Sequence, residues 1–450
     1  MISTVLPLLS NQLFEHAVRS IVIILIGIPI TYVVINEFVR RSCRVKGFDG
    51  PTNWPLVGNI PDIKYNAAEK YREWSKIFGD VYQIQLGNVP VIVVNSAESA
   101  RKIFGQNSQA LSSRPVFWTF HKVCLMRNAN QNKDDRRTFG SWVQVLSNTA
   151  GTTIGTSPFN DSLKRRRKGA ASALNKPSIA TYISHIDVET KDFVKEGFVN
   201  GKAGLAGVDP MPMIQRLSLS LSLTLNWGTR MESRDDPMFH EITEVEEAIS
   251  LFRSTTGNLQ DYIPLLRLNP FSAGSVMARD MRRRRDVYLT KLNKDLDDRM
   301  EKGTHKPCIQ ANVIQDKSAA LNKEELTSIS LTMLSGGLDT ITTLVQWSVA
   351  LLAQRPDIQN KAVEEIGKFY SNEEPLCDAY DDQKCEYIAA LVRECLRYYC
   401  VLRLALPRAT VKDVMYEGKL IPAGSTIYLN AWACNMGKPK LAATGTQKLG

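Results

Sequence analysis

The most unusual stretch of the sequence is LSGGLDTITT, Leu334–Thr343. It lies in a segment that otherwise has the apolar pattern of one long helix, from about Asn322 to Pro356. Two adjacent glycines, Gly336 and Gly337, each weaken a helix by about 1 kcal/mol relative to alanine, so some gain must offset the loss. A glycine pair allows a flat, bulky group or a second helix to approach the backbone closely.

Asp339 and Thr340 follow the glycine pair directly. The Thr340 hydroxyl can bond back to a helix carbonyl and admit water, and a carboxylate, a hydroxyl and water together form a proton relay. The alternative is a crossing of two helices at which small residues allow close packing. The motif by itself favours neither interpretation.

Most of the chain outside this motif is also predicted to be helical, since nearly every segment between about Pro177 and Asn372 has helical periodicity. Two regions differ. VYQIQLG and PVIVVN, residues 81–87 and 90–95, predict a β-hairpin, and residues 414–432 predict two short strands around a Pro-Ala-Gly turn. The predicted fold class is therefore mainly α with a small β-sheet.

The segment ECLR places a carboxylate, Glu394, and a guanidinium, Arg397, on one helix face. Apolar flanks, YIAALV before and YYCVLRLAL after, predict that this pair is buried and that it orders its surroundings. A single Glu-x-x-Arg carries little weight. Its position after the glycine motif and shortly before LPRAT, residues 406–410, is much more specific.

Composition and charge limit the classes of partner. The 450 residues carry a net charge of +10, part of it in KRRRK, Lys164–Lys168, and in RDMRRRRD, Arg279–Asp286. No nucleic-acid-binding motif accompanies these clusters, so we expect no nucleic acid; an acidic protein, an anionic membrane surface or plain solvation of helix faces remain. Eight cysteines without a Cys-x-x-Cys spacing predict reduced thiols and no zinc site.

Residues 20–36, SIVIILIGIPITYVVIN, carry no charge and predict one N-terminal membrane helix, near the lower length limit for a span. Cationic residues follow it, namely Arg40, Arg41, Arg44 and Lys46, and they place the rest of the chain in the cytosol. A cleaved signal peptide is the alternative. The apolar run is long for that role, and no small-residue cleavage site follows.

With these motifs together, the sequence resembles the cytochrome P450 family, the haem-thiolate monooxygenases, as far as about Met436. The resemblance implies a cytochrome P450 fold with haem lying against Gly336 and Gly337. It implies that Asp339 and Thr340 are catalytic and deliver the protons that oxygen activation needs.

The same resemblance assigns further positions. Glu394 and Arg397 become a structural brace behind the haem, and Arg408 binds a haem propionate. Arg165 or Arg166 is expected to bind the propionates as well. Electrons are expected from NADPH through a membrane-bound NADPH–cytochrome P450 reductase, with the chain in the endoplasmic reticulum membrane and its catalytic domain facing the cytosol.

Residues 111–123, LSSRPVFWTFHKV, and 151–177, GTTIGTSPFNDSLKRRRKGAASALNKP, resemble more closely the fungal phenylacetate hydroxylases within that family. This resemblance implies hydroxylation of the aromatic ring of phenylacetate or a hydroxyphenylacetate. The substrate is then a small aromatic acid. A hydroxylase of another lipophilic molecule, such as a fatty acid or sterol, is the alternative.

The first of these stretches also supplies candidate substrate contacts. Phe117, Trp118 and Phe120 either line the substrate pocket or belong to the ordinary core. His121 and Lys122 are candidates, by position only, for contact with the substrate carboxylate.

Three features depart from the family pattern. The Phe-x-x-Gly-x-Arg-x-Cys-x-Gly loop, whose cysteine binds the haem iron, does not occur in the sequence. Residues 437–450, GKPKLAATGTQKLG, and residues 124–144 are unlike the family, and we interpret both as translated introns; a truncated, non-catalytic paralogue is the rival.

The expected organisation is an anchor with its basic flank at 1–46, an incomplete, C-terminally truncated cytochrome P450 domain at 47–436 and an aberrant tail. The chain as written is therefore expected to be inactive.

Overall fold

The computed structural model describes residues 20, 23, 25–117, 153–253, 257, 259–268, 273–370, 379–381 and 384–437, and the strands at 123–124 and 142–143. It confirms the prediction of a mainly helical chain with small sheets. Residues 125–141 and 438–450, which hold most of the predicted insertion and tail, lie outside the described part.

The helices are α1 (residues 25–42), α2 (Ala67–Phe78), α3 (Ala97–Ala100), α4 (Asp161–Ala173), α5 (Lys176–Ala180), α6 (Ile183–Asn200), α7 (Met211–Trp227), α8 (Pro237–Arg253), α9 (Ala273–Glu301), α10 (Ile309–Gln315), α11 (Lys323–Gln354), α12 (Pro356–Gly367), α13 (Glu386–Tyr399) and α14 (Ala431–Met436). The strands are β1 (Val81–Leu86), β2 (Val89–Val94), β3 (Val123–Cys124), β4 (Trp142–Val143), β5 (Arg408–Ala409), β6 (Val414–Tyr416), β7 (Lys419–Ile421) and β8 (Thr426–Leu429).

Helix α11, which carries the glycine pair, begins and ends where its sequence predicts. Asn322 caps its first turn by accepting from the Glu325 backbone N–H, and the Glu325 carboxylate accepts from the Asn322 N–H in return. The helix ends before Pro356, which disfavours a helical conformation at the preceding residue. The glycine pair therefore lies inside an unbroken helix of 32 residues.

The main sheet has the strand order β1-β2-β8-β5. Strands β1 and β2 form the predicted hairpin, with Val81 opposite Val94, and β8 adds to β2 in parallel. Strand β5 pairs antiparallel with β8 and places Arg408 opposite Ile427. Strand β5, late in the chain, thus places Arg408 in the same sheet as the N-terminal hairpin.

The prediction of two strands around the Pro-Ala-Gly turn was wrong in its pairing. The hairpin is formed by β6 and β7, around Glu417 and Gly418, and β8 joins the other sheet. Both turn residues have positive φ, 48° and 76°, which is the conformation that a tight two-residue hairpin requires.

Helix α7 lies at the centre of the helical part and packs along α11. Nearly all of its side chains from Met213 to Trp227 are buried. The largest apolar cluster joins α7 to helices α8, α9 and α11, through residues such as Leu219, Ile249 and Leu334. This packing holds the glycine motif from one side.

Part of the arginine-rich segment of α9 contacts α8. Arg284 donates to Glu241 and to Glu244, at 2.6 and 2.8 Å for the shortest contacts, and buried Arg285 donates to buried Glu246. Arg283, 77% exposed, pairs only with a neighbour on its own helix. The cluster therefore joins two helices of the chain.

The predicted membrane segment overlaps α1, whose described apolar side chains include Ile28, Val34 and Phe38, all more than half exposed. Arg40 near its end is buried and donates to the Gly87 carbonyl at 2.9 Å, which fixes α1 against the β1–β2 turn. Within the described residues, no helix has both the length and the hydropathy needed to cross a membrane.

Candidate functional site

The two glycines of α11 have different surroundings. A Cβ at Gly337 would lie 2.3 Å from Ser222 Oγ of α7, whereas a Cβ at Gly336 would meet nothing within 4 Å. Gly337 therefore permits the close crossing of α7 and α11, as the second interpretation expects. Gly336, about 100° further round the helix, leaves its side of α11 open, and the flat group expected there stays a prediction.

The open face continues along α11. Gly336 and Trp347 are exposed and Thr340 is half-buried, and the spacing of 4 and 7 residues places all three on one side of the helix. Trp347 stacks on Tyr399 of α13, with ring centroids 5.4 Å apart. Helices α11 and α13 thus border one open, largely apolar face.

The two predicted proton carriers lie at this face. Thr340 Oγ1 donates to the Gly336 carbonyl at 2.6 Å, which is the back-bond that the sequence predicts. Asp339 is exposed and accepts a hydrogen bond from Ser250 Oγ of α8 at 2.5 Å. The carboxylate and the hydroxyl belong to consecutive residues but are held by different partners.

An arginine cluster, defined as Arg114, Arg167 and Arg408, lies near the open face. Arg114 Nη1 donates to the carbonyls of Leu406 and Pro407 at 2.7 and 2.8 Å. Burial, followed by the charges of Arg408 and Arg167, lowers the pKa of Arg114 to about 9.

The other two members share these surroundings. Burial, followed by the charge of Arg167, lowers the pKa of Arg408. In the part of the chain that the structure describes, no carboxylate pairs with any member of the cluster, and the buried Arg114 Nε has no hydrogen-bond partner. Two arginines whose pKa is lowered by burial, with the charge of Arg167 beside them and no acid, suit an anion.

A short chain of contacts connects the arginine cluster to α11. Leu406, whose carbonyl accepts from Arg114, packs against Gly155, with 3.3 Å between its Cδ1 and the position of a Cβ there. The neighbouring Ile154 N–H donates to Thr332 Oγ1 at 2.9 Å, one helical turn before Gly336. The anion site therefore lies at one border of the open face.

The basic helix α4 distributes its arginines differently from the prediction. Arg165 donates to Glu325 at 2.6 Å, and buried Arg166 donates to Ser328 Oγ at 2.6 Å. Arg167 belongs to the arginine cluster and donates to the Ser112 carbonyl at 3.4 Å. Of the predicted propionate ligands, the structure places only Arg408 in the cluster, and it adds Arg114 and Arg167, which sequence reasoning missed.

The Glu394–Arg397 pair is present but exposed, so the prediction that it is buried was wrong. The two side chains contact at 2.6 Å and are 48% and 42% exposed. Arg397 also donates to the Asn435 carbonyl at 2.6 Å and so joins α13 to α14. The apolar flanks misled because they are themselves largely accessible: Val392, Tyr398 and Leu402 are each about half exposed.

The predicted substrate contacts are described only in part. Phe117 packs against two apolar clusters and lies edge-on to Tyr262, at 6.3 Å between ring centroids. Trp118, Phe120, His121 and Lys122 lie outside the described residues.

The described residues fit the porphyrin part of haem. The face at Gly336 accepts a flat ring, and the arginine cluster, with a buried Nε that lacks a partner, suits its two carboxylates. No cysteine of the sequence has the context of an axial ligand, so we assign none. Within the described residues, no group of three or more His, Cys, Asp or Glu side chains forms a metal site of another kind.

Known proteins resemble this chain over nearly its whole length. The cytochrome P450 family model matches residues 48–139 and 133–438, two stretches that overlap inside the predicted insertion. The chain is 63% identical, over 435 residues, to a 3-hydroxyphenylacetate 6-hydroxylase from Emericella nidulans; the match covers 97% of this chain and 80% of the relative.

Two further relatives are more distant. A phenylacetate 2-hydroxylase from Emericella nidulans is 38% identical over 413 residues, covering 91% of this chain and 75% of that protein. A cytochrome P450 monooxygenase from Mycosarcoma maydis is 37% identical over 434 residues, covering 96% of this chain and 76% of that protein. The chain therefore belongs to the cytochrome P450 family of haem-dependent monooxygenases.

Proposed function

We propose that this protein hydroxylates the aromatic ring of a hydroxyphenylacetate, with 3-hydroxyphenylacetate as the first candidate and phenylacetate as the second. The observation that carries this proposal is the 63% identity to a 3-hydroxyphenylacetate 6-hydroxylase over 97% of the chain, against 38% to a phenylacetate 2-hydroxylase. The reaction consumes O2, NADPH and a proton and yields the hydroxylated ring, NADP+ and water.

The residues of the open face have distinct roles in this proposal. Gly336 leaves room for haem on α11, Gly337 lets α11 pack closely against α7, and Arg408, with Arg114 and Arg167, binds the haem carboxylates. Haem, when bound, supplies the iron at which oxygen is activated.

Three side-chain pairs have a role in this proposal: the proton carriers, the brace, and one ion pair that holds α4 against α11. Asp339 takes protons from solvent and passes them to the site beside the Thr340 hydroxyl. The Glu394–Arg397 pair joins α13 to α14. Arg165 acts indirectly, since its contact with Glu325 holds α4 against α11.

Electron supply and location complete the proposal. Electrons come from NADPH through a cytochrome P450 reductase. Residues 1–46 act as an anchor in the endoplasmic reticulum membrane, with residues 47–436 facing the cytosol. The exposed apolar side chains of α1 support this location.

The test is product analysis with the full gene product in membranes that contain the reductase. Incubation with NADPH is expected to convert 3-hydroxyphenylacetate to a dihydroxyphenylacetate faster than it converts phenylacetate, and to leave a long-chain fatty acid unchanged. Asp339→Asn and Thr340→Ala should both lower the product formed per NADPH. Turnover of the fatty acid or a sterol, or of no substrate, would contradict the proposal.

A companion measurement concerns the polypeptide of these 450 residues alone. Because no cysteine lies in the family's ligand loop, its carbon monoxide difference spectrum should lack the thiolate signature. Sequencing the spliced transcript across residues 124–144 and beyond Met436 tests the intron interpretation, which fails if both segments persist in mature messenger RNA.

A further inference from the structure

The carboxylate of Asp339 is held by a helix other than its own. Ser250 Oγ of α8 donates to Asp339 Oδ2 at 2.5 Å, whereas the neighbouring Thr340 hydroxyl turns back to the Gly336 carbonyl. The position of the Asp339 carboxylate therefore depends on where α8 lies relative to α11.

One turn earlier on both helices, α8 and α11 are joined by a buried network around Glu246. The Glu246 carboxylate accepts from Ser335 Oγ of α11 at 2.7 Å, and from Arg285 and the Tyr288 hydroxyl of α9 at 2.7 and 2.6 Å. All four side chains are buried. Breaking such a network leaves a buried charge without its partner, so it resists separation.

The Ser250–Asp339 contact differs because it is solvent-accessible. The Ser250–Asp339 contact is a single ordinary hydrogen bond, and so it opens far more easily than the Glu246 network, which holds a buried ion pair. The buried network thus fixes α8 against α11 at Ser335. The Ser250–Asp339 contact, one turn further along, is the part that can open and close.

We infer that Ser250 is a positioning residue for proton delivery, which holds the Asp339 carboxylate in one orientation at the contact between α8 and α11. This inference rests on the proposed function, in which Asp339 carries protons from solvent and is left unchanged after each turnover. Ser250 itself touches no reacting atom. Its role is to keep the carboxylate in one of the several rotamers that an exposed aspartate otherwise adopts.

A double-mutant cycle tests the contact without any bound haem. The purified full chain and its Ser250→Ala, Asp339→Ala and doubly substituted variants are unfolded in urea. The effects of the two substitutions are expected to be non-additive, because each removes the same hydrogen bond. Ser348→Ala is the matched control, since the Ser348 hydroxyl donates to the Leu344 carbonyl of its own helix, and it should be additive with Asp339→Ala. Additive effects for Ser250 and Asp339 would overturn the inference.

The second test measures product formed per NADPH in the haem-loaded enzyme with its reductase. Ser250→Ala is expected to lower this ratio about fivefold, the factor that corresponds to one ordinary hydrogen bond, with little change in KM. Ser250→Thr keeps the hydroxyl and should restore the ratio, which a merely structural role would not require. If Asp339→Asn lowers the ratio and Ser250→Ala does not, the inference fails while the proposed function stands. If neither substitution lowers the product formed per NADPH, the inference and the proposed function both fail.

Discussion

Arg165 and Arg167 stand two positions apart in one basic run, yet their neighbours differ. Arg165 pairs with Glu325, whose side chain is 1% exposed, and Arg167 lies with Arg114 and Arg408. We expect Arg165→Gln to lower the free energy of unfolding by about 1–3 kcal/mol, because it leaves a buried carboxylate without its charged partner.

Arg167→Gln is the matched comparison. It should leave stability nearly unchanged and weaken haem binding, because it removes one cation from the anion site. Urea unfolding and haem titration of the two variants check this. Equal effects of both substitutions on haem affinity would contradict the assignment.

The Glu394–Arg397 pair is expected to contribute less than about 1 kcal/mol, because both side chains are nearly half exposed. The hydrogen bond from Arg397 lowers the pKa of Glu394 below its ordinary value of 4.5. A depressed carboxyl pKa means that the contribution is present above pH 4.5 and is lost as the pH falls through the lowered value. Glu394→Gln should therefore flatten this part of the stability profile in urea unfolding at pH 3 to 6; a loss of several kcal/mol at pH 7 would show that the pair is buried in solution.

Single-residue assignments were predictable where one local pattern carries them, and less so elsewhere. The Thr340 back-bond follows from its position in a helix next to glycine. The arginine cluster, in contrast, assembles positions 114, 167 and 408, which are far apart in sequence. Only Arg408 was named, because no local periodicity reports which distant cations share one buried space.

At the scale of elements, the two glycines of α11 provide a matched pair. Both substitutions to alanine gain the same helix propensity, about 1 kcal/mol, so the difference between them isolates packing. We expect Gly337→Ala to be less stable than Gly336→Ala by about 1–3 kcal/mol, because its Cβ would lie 2.3 Å from Ser222 Oγ.

Haem binding should be weakened more by Gly336→Ala than by Gly337→Ala. Gly336→Ala places a methyl group on the open face and is expected to weaken haem binding while stabilising the haem-free chain. Adding Ser222→Ala to Gly337→Ala should recover part of the lost stability. Equal unfolding midpoints for the two single variants would show that α7 and α11 do not cross this closely.

The α8–α9 contact gives a second prediction at this scale. Arg285→Ala should cost about 3–5 kcal/mol, because it leaves Glu246 buried without its ion-pair partner. Arg283→Ala, in the same run but 77% exposed, should change stability by less than about 1 kcal/mol. Thermal or urea unfolding separates them, and a small effect of Arg285→Ala would show that this ion pair is not buried in solution.

Element types followed largely from periodicity, and α7, inside the region predicted to be helical, shows where a local pattern competes with that prediction. In α7, Ser218, Ser220 and Ser222 alternate with leucines, a pattern typical of a strand, yet the segment is helical. A helix buried on all sides does not need one apolar face, and its serines bond within the core, as Ser218 does with Thr342 at 2.9 Å.

In the whole molecule, the net charge of +10 left an acidic protein, an anionic membrane surface and solvated helix faces all open. Part of this charge makes contacts inside the chain, since Arg284 and Arg285 of α9 contact α8, and Arg165 and Arg166 of α4 contact α11. Pairing of this kind is tertiary, so composition cannot show it. The open face of α11 is likewise a property of the assembled chain, because it requires α7 to cover one glycine and not the other.

The central claim is that a porphyrin lies on the open face with its carboxylates at the arginine cluster. The most direct measurement is fluorescence titration of the full chain with metal-free protoporphyrin IX and with its dimethyl ester, which avoids any dependence on the axial ligand. We expect the free acid to bind at least about tenfold more tightly, since each charge-assisted hydrogen bond contributes about 1.5–3 kcal/mol, and we expect Arg114→Gln to reduce that preference. Equal binding of acid and ester, or a preference that Arg114→Gln leaves intact, would contradict the claim.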